Sequence, residues 1–129
     1  MPISCHIDHA KRRIIGQALG IVGEGDLFAY QSQAGIVSDY DEIFDVTHVE
    51  NLQDVNLDSL RKLADFAAST DVPDTRAKLA IVASRDLYFG LGRMYEFFRA
   101  GSPRNTKEIN VVHSRVEAEN WLDAKMEPV

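Results

Sequence analysis

Few residues in this 129-residue chain have the types and spacing for chemistry. Asp45, His48 and Ser84 supply the side chains of a hydrolase triad. A triad also needs a nucleophile turn and an oxyanion hole, and no G-x-S-x-G surrounds Ser84. Ser84 reads instead as a helix cap, and Asp45 as a carboxylate satisfying backbone groups at a strand end. Catalysis is therefore not the expected role. Cys5-His6 with His9 suggests metal ligands, but strand alternation sends Cys5 and His6 to opposite faces and no second close pair exists. Neither a metal nor a cofactor is expected. Gly90-Leu91-Gly92 resembles a piece of a phosphate loop, yet it lies well inside a helix rather than at a strand–helix junction. Its glycines weaken that helix and imply close approach to the sheet or to another helix.

That helix, residues 84–100, is the most informative stretch. Leu87, Leu91, Met94 and Phe98 form a stripe at helical spacing, expected to face a sheet. Tyr88 and Tyr95 lie beside the stripe, and Phe89 and Phe97 lie further round. Apolar groups thus cover more than half the circumference, and some must meet something other than the sheet. A homodimer through these rings is expected. The alternative is a pocket for a small apolar or lipid-like molecule beside Tyr88 and Tyr95. Arg93 could anchor an anionic group there, or pair with Glu96.

The elements positioning these residues follow from periodicity. Ile3–Ile7 reads as a strand, Asp8–Lys11 as a turn and Arg13–Gly20 as a second strand, which makes a hairpin. Gly16 and Gly20 mark a bulge or close packing in that strand. Gly23, Glu24 and Asp26 open a helix carrying Leu27, Tyr30, Ala34 and Val37. Glu42–Val46 is a short strand, and Thr47–Val55 reads as a polar loop. Asn56 caps a helix with Leu57, Leu60, Leu63, Ala64 and Ala67 on one side. Lys78–Ala83 is an apolar run typical of a buried parallel strand. The helix after Ser84 stops at Gly101 and Pro103. Glu108–Val112 is the last strand, and Ser114–Glu117 is a capping box leading into Ala118, Trp121 and Leu122. The order is β-β-α-β-α-β-α-β-α. It predicts one α/β domain over residues 1–129, with a mostly parallel sheet and one antiparallel edge strand. Ligands of such sheets sit beyond the carboxyl ends of the strands, here Asp45–His48, Ser84–Asp86 and His113-Ser114.

Composition narrows the function classes. The chain is 45% hydrophobic and 26% charged, which is globular. No apolar run is long enough for a membrane span, and no signal peptide is recognisable. With a single cysteine, Cys5, the chain reads as cytoplasmic. A net charge of −6 excludes sequence-independent nucleic-acid binding. Charge is segregated: residues 36–75 carry a net −8 and residues 76–115 a net +5. This reads mainly as solvated faces, and otherwise as complementary patches for a partner or a second copy.

The element order, with Phe44-Asp45-Val46-Thr47-His48-Val49, Leu79–Ala83, Asp86–Tyr95 and the Ser114–Leu122 helix, resembles the STAS domain of anti-sigma-factor antagonists. It is most similar to small bacterial proteins described as SpoIIAA-like, a fold shared with CRAL-TRIO lipid-transfer domains. The resemblance implies a SpoIIAA-like fold and a regulatory or protein-interaction module. Its alternative implication is a carrier of an apolar ligand. STAS antagonists present a phosphorylatable Ser after an Asp at the start of the second helix. Asp54 matches that Asp, but Asn56 stands at the expected Ser position and Ser59 lies about one turn too late. No phosphorylation switch is implied here.

Overall fold

The computed structural model describes residues 2–124; Met1 and residues 125–129 of the expected domain span lie outside the described residues. Strands β1 (Ile3–Asp8) and β2 (Arg13–Gly23) form the antiparallel hairpin. Helix α1 (Glu24–Ala34) follows, ending in a 3-10 turn at Gly35–Val37. Then come β3 (Asp41–Gln53), α2 (Leu57–Ser69), β4 (Lys78–Val82), α3 (Asp86–Ala100), β5 (Glu108–Val112) and α4 (Arg115–Asp123). The five strands lie in chain order, β1-β2-β3-β4-β5, and every pair after the hairpin is parallel.

That order decides where the helices go. Three successive crossovers advance in one direction, so crossovers of one hand put α1, α2 and α3 on the same face. Tyr30, Leu63, Ala64, Tyr88 and Tyr95 accordingly share a core with Ile14, Val49, Leu79, Ile81 and Val111. Helix α4 follows the last strand and covers the other face, where Ala118 and Leu122 meet Ile43, Ala80, Val82 and Val112. Strand β4 is buried on both faces, which accounts for its unbroken apolar run. On the α4 side, Leu19 and Ile21 of β2 remain exposed.

Several boundaries differ from the sequence expectation. Strand β2 continues past Gly20, and β3 continues through the stretch read as a loop, pairing Leu19–Gly23 with His48–Gln53. Register shifts at Gln17/Leu19 and Gly20/Ile21, with Gly20 at φ +69, spoil strict alternation. The inward residues Val46, Val49 and Leu52 are therefore spaced by three, and a period-two pattern misses them. Arg85, not Ser84, is the N-cap of α3 and gives no side-chain bond. Gly101 stands at the C-cap of that helix in an ordinary right-handed conformation. Asn56 caps α2 as expected, accepting from Ser59 N at 2.9 Å. At α4, Ser114 accepts from Glu117 N, while the Glu117 carboxylate accepts from His113 N rather than from Ser114.

The face of α3 is rotated from the expected one. Its buried side is Tyr88, Gly92, Tyr95 and Arg99, whereas Leu87 is 68% exposed. Gly92 allows this. A Cβ there would stand 3.1 Å from Val111 Cγ1 and 3.4 Å from Ile81 Cγ2, so the helix lies close on β4 and β5. Gly16 plays the same part on β2: a Cβ there would run into the Tyr30 ring.

These glycines give a paired prediction. Gly16→Ala must displace a buried, pinned ring and should destabilise by about 1–3 kcal/mol in urea unfolding. Gly90 is exposed with open space around it, so Gly90→Ala should stabilise by about 0.5–1 kcal/mol. Equal effects would refute the packing role of Gly16.

Candidate functional site

Three charged residues stand where periodicity calls for apolar ones. Glu42 shares the inward side of β3 with Phe44 and Val46, Arg99 closes the buried side of α3, and Lys107 immediately precedes β5. All three are buried, and burial of a charge is tolerable only with full pairing. Lys107 Nζ donates to Glu42 Oε1 at 2.8 Å, and Tyr30 Oη donates to Glu42 Oε2 at 2.6 Å. Arg99 donates from Nη2 to Asp71 Oδ2 at 2.8 Å, from Nε to Asn105 Oδ1 at 2.9 Å and from Nη1 to Tyr95 Oη at 3.0 Å. Asp71 also accepts from Thr106 N, and Asn105 donates to the Lys107 carbonyl. Two cations and two carboxylates thus balance in one cluster at the amino-terminal end of the parallel strands.

Electrostatics follow the geometry. Burial pushes the Glu42 carboxyl up, but the Lys107 charge, hydrogen bonds from Lys107 and Tyr30, and the Arg99 charge together bring it below its ordinary value. Burial first, and then the neighbouring Glu42 charge, raise the Tyr30 phenol well above its usual value. Tyr95 is raised too, by burial above all, although Arg99 pulls against it. Both phenols keep their protons.

Above this cluster lies an apolar cavity of about 100 Å³ between the sheet and helices α1, α2 and α3. It runs from Glu42, near the start of β3, to Leu52 and Val55, at and beyond its end. Leu27 and Tyr30 of α1 and Leu60 and Leu63 of α2 form part of its wall. Tyr88, Leu91 and Tyr95 of α3 and Leu79 and Ile81 of β4 complete it.

The sequence candidates divide around this cavity. Tyr88 and Tyr95 line it. Arg93 is on the outside, paired with Glu96 at 3.2 Å. Asp45 lies on the α4 side of the sheet, accepting from Thr47 N at 2.9 Å and facing Arg115 at 3.6 Å. His48 and Ser84 are exposed, and no hydrogen bond joins Asp45, His48 and Ser84 among the described residues. Cys5 packs against the core while His6 is exposed, and His9 meets Tyr40 Oη at 2.9 Å. Ser59 is buried in the cap of α2 with Glu24 Oε2 at 3.0 Å. Phe89 stacks on His113, leaving Phe97 as the exposed ring of α3. The cavity therefore lies mainly under the helices, reaching past a strand end only at Val55, and sequence reasoning missed Glu42, Lys107 and the β3 residues of its wall. Their signal was a charge on an otherwise apolar face.

No family model matches the chain, and no curated protein does. Among solved structures it is similar to an uncharacterised protein of the DUF3478 family from Shewanella loihica PV-4, described as having a SpoIIAA-like fold. The two are 15% identical with a TM-score of 0.60, over 93% of this chain and 91% of that one. The likeness establishes a SpoIIAA-like fold for this chain, as the sequence resemblance implied. Among the described residues, no helix is long and apolar enough to cross a membrane.

The Glu42 pairing sets a pH dependence. A carboxyl held below its ordinary value of 4.5 stabilises the fold above that value and loses this contribution as pH falls through its lower folded value. Acid titration of stability should show this loss below pH 4.5. Glu42→Gln should remove that part of the slope and cost about 3–5 kcal/mol at pH 7, because it strands the buried Lys107 charge. An unchanged slope in the variant would assign the acid sensitivity to other carboxylates.

Proposed function

We propose that the protein is a non-catalytic binding module whose interior site takes a small apolar molecule. The observation carrying this reading is the cavity itself: about 100 Å³, walled almost wholly by aliphatic and aromatic side chains. Close packing is the rule for protein interiors, and an apolar cavity of about 150 Å³ suffices to hold benzene. The volume here suits a short branched chain or a small ring. Tyr88 and Tyr95 are binding residues in this reading, and Arg93, Asp45, His48 and Ser84 stand apart from the ligand. The absence of contact among Asp45, His48 and Ser84 favours binding over hydrolysis. Occupancy would tie α1, α2 and α3 together, and a regulatory module could report that to a protein partner.

A second reading, a homodimer across α3, rests on Phe97, which is 69% exposed and meets Phe98 edge-on.

Methyl-detected NMR with 2-methyl-1-butene tests the first reading. Saturable shifts are expected at Leu60, Leu63, Leu79, Ile81 and Leu91, with none at exposed Ile36 or Val116. Val46→Phe, which fills the cavity, should abolish them. Shifts that never saturate, or that spread over the surface, would reject the site. Sedimentation tests the second: a species of twice 14.4 kDa that reverts to 14.4 kDa in Phe97→Glu is expected, and a wild-type monomer would reject the dimer.

A further inference from the structure

The polar end of the cavity contains an unspent hydrogen-bond donor. Tyr95 lines the cavity, and its hydroxyl accepts from Arg99 Nη1 at 3.0 Å. A guanidinium accepts nothing, so the phenolic proton cannot be returned to Arg99. No other partner for that hydroxyl exists among the described residues. The ring is 8% exposed, and a buried O–H without an acceptor costs free energy. The neighbouring carboxylate does not take it: Glu42 Oε1 accepts from Lys107 and Oε2 from Tyr30, and no hydrogen bond joins Glu42 to Tyr95 among the described residues. Charge is also balanced there, Glu42 against Lys107 and Arg99 against Asp71. An ionic ligand group would enter without a counterion, at a heavy desolvation penalty. Burial keeps the Tyr95 phenol protonated, so its donor is available at neutral pH.

We infer that the cavity's ligand is a neutral apolar molecule with one hydrogen-bond acceptor, a carbonyl oxygen, received by the Tyr95 hydroxyl. This rests on the apolar-site reading above and names its ligand class. The phenol then accepts from Arg99 and donates to the ligand, which fixes the ligand's orientation along β3: carbonyl toward Tyr95, hydrocarbon toward Leu52 and Val55.

Three probes of one shape test it: 2-butanone, 2-methyl-1-butene and propanoate. The expected result is binding of the ketone and the alkene but not of the anion. In Tyr95→Phe the ketone-to-alkene affinity ratio should fall by about fivefold or more, the worth of one buried hydrogen bond. In Tyr40→Phe, whose hydroxyl meets His9 away from the cavity, the ratio should hold. The infrared carbonyl band of 2-butanone bound to the wild-type protein should lie below its position in a hydrocarbon solvent, which keeps the inference testable if Tyr95→Phe fails to fold. An unshifted band, a ratio unchanged in Tyr95→Phe or lowered in Tyr40→Phe, or propanoate binding as well as the ketone would overturn the inference. The apolar reading would still stand on the alkene. If neither neutral probe binds the wild-type protein, both readings fall.

Discussion

The ion pair between Lys107 and Glu42, with the Arg99–Asp71 pair beside it, governs how the layers of this protein meet. Both pairs are almost fully enclosed. Each joins segments far apart in the chain, and together they hold the start of β3, the exit of α2, the end of α3 and the approach to β5. Tyr30 adds α1 through Glu42. Isolated buried pairs are weak contributors to stability, since desolvation offsets the attraction. Their strength lies in direction: a mispaired helix would strand a charge, so alternative packings are penalised far more than the native one is stabilised. Gly16 and Gly92 serve this arrangement, one by clearing space for the Tyr30 ring, the other by letting α3 lie close enough for Arg99 to reach Asp71.

The same constraint accounts for the cavity. Helices free to slide would collapse on the sheet and fill it. Here α1 is tied to the sheet through Tyr30, and α3 is tied to the loop after α2 through Arg99. These ties, a phenol–carboxylate hydrogen bond and a buried ion pair, border the space between the helices and the sheet. One end of the cavity is thus rigid and polar, while the other is bounded by Leu52 and Val55, where β3 gives way to a loop.

Much of the fold was legible in the sequence because its signals are local. The hairpin follows from a short polar turn, β4 from its apolar run, and α2 from Asn56 and its leucines. The register of β3 was not legible, because its bulge changes an inward spacing of two into three. Nor was the face of α3, because the greater apolar bulk of Leu87, Leu91, Met94 and Phe98 outweighs Tyr88, Gly92, Tyr95 and Arg99 in any count of hydrophobicity. The partners of Arg99 and Lys107 lie 28 and 65 residues away, beyond the reach of helical or strand periodicity. Both pairs join the acidic middle to the basic later stretch: Glu42 and Asp71 come from the first, Arg99 and Lys107 from the second.

A sheet whose strands lie in chain order would seem suited to growth from the amino terminus, each strand adding to the edge left by the last. The placement of Lys107 prevents such piecemeal completion. Until that residue leaves the ribosome, Glu42 sits on an inward face without the cation that hydrogen-bonds it, Arg99 acting on it only through its charge, and its burial stays less favourable. The nascent hairpin, α1 and β3 can form early, but their layers cannot lock together. The approach to the final strand therefore works as a latch, and the whole domain closes late and cooperatively although its topology is sequential.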